Sequence, residues 1–243
     1  MKEGIIMTAK EMFRSMAIKM LETFAKFSAS NHKLVPNKET AFLIWNLPYK
    51  ITCPFATEMC KLKCYAKKAE DLYPDCNPCR NRNWTFSRSA EFADWVIAYI
   101  EKKNVYNLKH NKKLVVRIHE SGDFYNAEYF NKWMQVCRHF ENVPNITFIC
   151  YTKSLPYVIK YINDNGALPS NLALRFSVWA DTNPVHIALA EKYGIAIYTA
   201  DDEQNITEET YPKYDVCRCS DCATCGHCWS KEDKYHKIVC AIH

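Results

Sequence analysis

The chain has 243 residues, 48% of them hydrophobic and 24% charged, with a formal net charge of +5 at pH 7. That apolar content is enough for a packed core and excludes a chain that stays disordered along its length. A run of roughly eighteen apolar residues, the least a membrane helix needs, does not occur. Residues 1–25 carry Lys and Glu throughout, unlike the uninterrupted apolar core of a secretory signal, so a cytoplasmic location is expected. The positive charge is modest and dispersed, and it reads as solvated surface rather than as a nucleic-acid site.

In chain order, Thr8 and Glu11 have capping-box spacing ahead of Met12, Phe13, Met16, Met20, Leu21 and Phe24, which recur at helical intervals and predict a helix over 8–28. Residues 40–47 (TAFLIWNL) predict a strand. The stretch 53–83 is cysteine-bearing and loop-rich, with one short helix expected around 61–70. From there helices and strands alternate. Helices are predicted over 89–102, over 126–140 with Asn126 as cap, over 155–163, and from Pro184 to a close at Gly194. The intervening strands fall at 113–119, 146–151, 172–178 and 195–199, and 237–242 offers a last one. Alternation of this kind predicts parallel βαβ units, hence an α/β sheet or an incomplete parallel βα barrel. Residues 1–210 form the α/β domain with its N-terminal helix and the cysteine loop 53–79. Residues 211–243 are a cysteine-rich, metal-binding segment packed on the same domain.

Thirteen cysteines are present. Without an export signal, metal or redox chemistry is favoured over a disulfide framework. Cys217, Cys219, Cys222, Cys225 and Cys228 stand within CRCSDCATCGHCW, a run too polar for a core, and such sets hold zinc or an iron–sulfur cluster. Cys53, Cys60 and Cys64 follow a C-x₆-C-x₃-C pattern in which a helical turn puts the last two on one face. Three thiolates leave a fourth position for a distant cysteine, water or a substrate atom. Cys76 and Cys79 form a further C-x₂-C pair, able to complete a site with the C-terminal run or to act as a surface redox pair. Cys137, Cys150 and Cys240 lie in apolar segments and read as core residues.

Polar groups recur where the predicted strands end: Arg117, His119, Glu120 and Asp123; Tyr151, Thr152 and Lys153; Arg175, Ser177 and Asp181; Thr199, Asp201 and Asp202. Ligands of parallel α/β sheets bind at those ends. A pocket lined by Arg117, His119, Asp123, Lys153 and Arg175 is therefore expected. Singly, Asp181 and Asn183 read as caps before Pro184, and Arg117 and His119 as a buried pair. No Walker loop, dinucleotide fingerprint or Gly-x-Ser-x-Gly elbow occurs, which argues against nucleotide hydrolysis and serine-hydrolase chemistry.

The blocks TCPFATEMCKLKCYA, RIHESGDFYNAEYFNKW, YTKS, LRFSV and a terminal C-x₂-C-x₂-C-W resemble a family from bacteriophages and mobile elements, over residues 31–229. That family resembles radical S-adenosylmethionine proteins in layout, with a cysteine block ahead of a barrel-like sheet. The resemblance implies a [4Fe–4S] cluster on Cys53, Cys60 and Cys64, and Ser121, Gly122 and Asp123 in place of the glycine-rich strand that holds the methionine amine. The C-x₆-C-x₃-C spacing departs from the C-x₃-C-x₂-C of radical enzymes.

The leading expectation is a phage-type iron–sulfur protein, working in the host cytoplasm, with one or two [4Fe–4S] clusters or zinc at one site. Its chemistry would be radical or reductive, on a small-molecule substrate, with S-adenosylmethionine as a candidate cofactor. Two others stand beside it: a zinc-stabilised accessory protein binding nucleic acid or a host protein, and an electron-transfer protein.

Overall fold

The computed structural model describes residues 8–31, 33–230 and 236–241; Ile242, the last residue of the expected final strand, lies outside them. Helix α1 (Ala9–Thr23) starts where the capping box places it, with Thr8 and Glu11 exchanging side-chain and backbone hydrogen bonds. Seven strands follow: β1 (Thr40–Trp45), β2 (Lys113–Ile118), β3 (Ile146–Thr152), β4 (Leu172–Val178), β5 (Ala196–Asp201), β6 (Asp215–Cys217) and β7 (Ile238–Ala241). They pair in parallel throughout, in the order β1-β2-β3-β4-β5-β7-β6, as a sheet curled into a half-barrel.

Both faces of the sheet are covered, which is why its strands read as nearly continuous apolar runs. On the outer face Trp45, Val116, Ile118, Phe148 and Leu174 pack into the main core. That core also takes residues of the helices between strands, α5 (Phe92–Lys109), α6 (Ala127–His139), α7 (Leu155–Asn165) and α8 (Pro184–Lys192). Asn126 and Asn183 cap α6 and α8. On the inner face a smaller core joins Leu34, Phe42, Ile44, Val115, Ile149 and Ala173 to Ala223 and Trp229 of the cysteine-rich segment. Trp229 meets Phe42 edge to face at 5.7 Å. The C-terminal segment thus fills the half-barrel from within.

Two expectations are corrected. The cysteine stretch is helical rather than loop-rich: α2 (Glu58–Leu62), α3 (Tyr65–Leu72) and α4 (Cys76–Ser87) occupy most of it. Pro78 falls in the first turn of α4, where a missing N–H costs no helical hydrogen bond. Helix α4 buries Arg80, Asn83 and Ser87 beside Phe86, so its inward face carries no continuous apolar stripe to read. The second correction is β6, a strand of three residues inside the run read as aperiodic.

Candidate metal centre and strand-end cavity

The loop after β1 delivers the first cysteine group. Thr57 caps α2 by accepting from the Cys60 amide at 3.2 Å. Asp181, reached from beyond β4, accepts from the Met59 amide at 2.8 Å, so it anchors the cysteine helix rather than capping α8. Cys64 stands at the N-cap of α3. Burial, reinforced by the Asp123 carboxylate, pushes the Cys53 thiol up to about 12, and burial raises Cys60 as well. All three cysteines line one cavity of about 330 Å³ that runs over the inner face of the sheet.

Gly122 makes this loop possible. It has φ +81, and a Cβ there would sit 2.6 Å from Leu47 Cβ and 2.7 Å from Thr52 Oγ1. Only glycine lets the loop after β2 lie against the segment leading to Cys53. Gly122→Ala is expected to destabilise the fold by about 2–4 kcal/mol, from strain and overpacking together, read as a lower urea midpoint at unchanged slope. Ser121 has a structural task of its own: its hydroxyl donates to the Leu47 carbonyl at 2.8 Å, and Asn46 Oδ1 accepts from its amide at 3.0 Å.

Asp123 is buried and accepts from Thr152 Oγ1 at 2.6 Å and from the Lys153 and Phe124 amides at 2.8 and 2.7 Å. Burial still raises its pKa. The Lys153 ammonium donates to Ser177 Oγ at 2.8 Å and lies 5.7 Å over the Trp179 ring; burial lowers its pKa. Arg117 donates from Nε to the His119 carbonyl at 3.0 Å and stacks 4.2 Å over Tyr151. The cavity lining therefore receives Arg117, His119, Asp123 and Lys153 as expected.

His119 borders the cavity while its ring packs on Phe124 and its Nε2 lies 2.9 Å from the Tyr129 hydroxyl. Arg175 is placed differently. Arg175 is fully buried and is not part of the cavity lining. It donates to the Cys228 carbonyl at 2.6 Å and to that of His236 at 3.4 Å, clamping the C-terminal segment to the sheet.

The second cysteine group enters the same cavity from the other side. Cys217, Cys222, Cys228 and Cys240 line it, while Cys219 and Cys225 are exposed. Parallel pairing sets Cys217 beside Cys240. The Cys240 thiol donates to Cys217 and pulls its pKa down to about 6, and the same bond raises that of Cys240. Tyr151 bonds Cys228, Tyr198 bonds Cys240, and Lys33 Nζ lies 3.9 Å from Cys240 Sγ. Cys240, read from sequence as core, belongs to this group; only the β6–β7 register, invisible in an apolar IVCA stretch, could have shown it. Cys137 and Cys150 are buried in the outer core. Cys76 and Cys79 lie in the first turn of α4, outside the cavity lining, and are not brought to the C-terminal run.

Fold and site together define an α/β protein with a parallel half-barrel whose inner cavity is lined by two cysteine groups from distant parts of the chain. The chain belongs to the family described as "Gene product 88", a phage-type family whose model matches residues 20–231. No curated protein and no solved structure matches it. Among the described residues no helix is long and apolar enough to cross a membrane.

Proposed function

We propose that the chain is an iron–sulfur protein in which Cys53, Cys60 and Cys64 hold a [4Fe–4S] cluster and the cavity admits a small molecule for radical or reductive chemistry. The observation that carries this is the convergence of both cysteine groups on one cavity at the strand ends of a parallel half-barrel. The donor set fits such a group. Three thiolates facing one cavity are the ligands that iron–sulfur clusters take, with one position left for another donor.

When bound, the cluster supplies one-electron reduction next to an iron that three cysteines leave open. The chain's own residues do the rest. Lys153, fixed by Ser177 and Trp179, and Arg117, fixed by Tyr151, present two oriented cations to an anionic group of a substrate or of S-adenosylmethionine. Asp123 receives the Lys153 amide and so holds that side chain's backbone in place. Cys222, Cys228, Cys217 and Cys240 supply a second set of thiols, for a further cluster or zinc.

Anaerobic reconstitution followed by iron and acid-labile sulfide analysis and paramagnetic resonance tests this reading. Cys53→Ala, Cys60→Ala and Cys64→Ala should each remove the signal of one cluster while far-ultraviolet dichroism is kept. A colourless protein that takes up only zinc would end the proposal in favour of a zinc-stabilised accessory role. A reversible redox couple with no calorimetric binding of S-adenosylmethionine would point to electron transfer alone.

A further inference from the structure

The cysteine-rich segment carries a second donor set that the cluster reading leaves unused. Asp215 opens β6, His227 stands in the short turn His227–Trp229, and His236 lies just before β7. Their ligating atoms lie within 4.8 Å of one another. Asp215 Oδ2 is 3.2 Å from His227 Nε2 and 2.8 Å from His236 Nδ1. Three separate pieces of backbone therefore aim one oxygen and two nitrogens at a common point.

Asp215 and Cys217 are two apart on β6 and share a face, as do Ile238 and Cys240 on β7. The register pairs Asp215 with Ile238 and Cys217 with Cys240, so the Asp215 carboxylate stands one step along the strand pair from the two thiols. The Arg175 bonds to the Cys228 and His236 carbonyls fix the chain next to His227 and at His236. Harder nitrogen and oxygen donors and soft sulfur donors prefer different metals.

We propose that Asp215, His227 and His236 form a metal site separate from the cysteines, for one zinc-type divalent cation with a coordination position left open to water. Two imidazoles and a carboxylate are a donor set that zinc accepts with a solvent-filled fourth place. The side chains of Asp215, His227 and His236 are 49%, 31% and 53% exposed while His227 Nε2 is itself buried, so an ion would enter past Asp215 and His236 and seat against His227. Loaded, the site would tie β6, the His227–Trp229 turn and the start of β7 together and hold the cysteine segment closed over the cavity. The inference does not depend on a cluster at the cysteines.

Cobalt(II) added to the full-length, cluster-reconstituted protein is the direct test, with iron and sulfide measured in the same samples. One equivalent should bind with visible d–d bands of nitrogen and oxygen ligation and without thiolate charge-transfer absorption. Asp215→Asn and His236→Gln should each weaken that binding at least about hundredfold, the upper end for disturbing even an outer-sphere partner, with iron and sulfide unchanged. Failure to bind cobalt, or a spectrum dominated by thiolate charge transfer and indifferent to both substitutions, overturns the site. The wild-type spectrum alone decides the matter if either variant fails to fold, and a colourless, iron-free preparation would sink the cluster reading while leaving this test in force.

Discussion

Glu70→Ala is expected to cost about 3–5 kcal/mol, because it strands a buried guanidinium. Arg80 Nη1 lies 2.9 Å from Glu70 Oε1, and the two side chains are only 7% and 4% exposed. The same carboxylate accepts from the Tyr49 amide at 3.2 Å and from Asn77 Nδ2 at 2.6 Å, while Arg80 also donates to the Ala66 carbonyl at 3.0 Å. One ion pair thus joins the loop after β1, α3 and α4, the pieces that carry Cys53, Cys64, Cys76 and Cys79. Its removal should lower the urea midpoint and loosen the first cysteine group together. Replacing both partners by Met should cost much less than the sum of the single changes, since no unpaired charge remains. A single-variant loss below about 1 kcal/mol would show the pair to be effectively solvated.

This network also shows where sequence reasoning stopped. The alternating helices and strands from residue 89 onward were legible because the strands are apolar runs and the helices between them carry apolar periodicity or a cap, as at Asn126 and Asn183. Helix α4 was not, because Arg80, Asn83 and Ser87 share its buried side with a single large apolar residue, Phe86. Asn83 spends its amide on the Lys26 amide and on the Lys26 and Asn46 carbonyls, a polar seam with no hydropathy signal. Hydrophobic periodicity cannot find a helix that docks through hydrogen bonds.

The site divides along the same line. Cysteine spacing marked both groups, and strand-end positions marked Arg117, His119, Asp123 and Lys153, because those signals are local. Long-range register decided the rest. Cys240 joins Cys217 only through β6–β7 pairing, and Arg175 turns from a pocket candidate into a clamp because the C-terminal segment folds back over it. Asp181 moves from a local cap to an anchor of α2 for the same reason.

His119 carries the second large expectation, a loss of stability in acid. Burial, and then the charge of Arg117, lowers its pKa from 6.5 to about 3. Its Nδ1 is buried without a hydrogen-bond partner, while Nε2 meets the Tyr129 hydroxyl at 2.9 Å. The folded protein therefore holds the ring neutral, whereas the unfolded chain takes up a proton as pH falls through about 6.5. The contribution is complete above that pH and drains away below it, by about 2 kcal/mol at pH 5 and about 4 kcal/mol near pH 3. His119→Asn is the informative variant, because residue 119 has φ 63 and asparagine tolerates that region better than most side chains. It should be less stable than the wild type at pH 7, having lost the Tyr129 contact, yet its unfolding free energy should fall less steeply between pH 6.5 and 4. Parallel curves for the two proteins would mean that the ring is hydrated or protonated in the fold. His119, which borders the cavity, would then be free for proton transfer to a bound molecule, a role its burial against Phe124 and Tyr129 opposes.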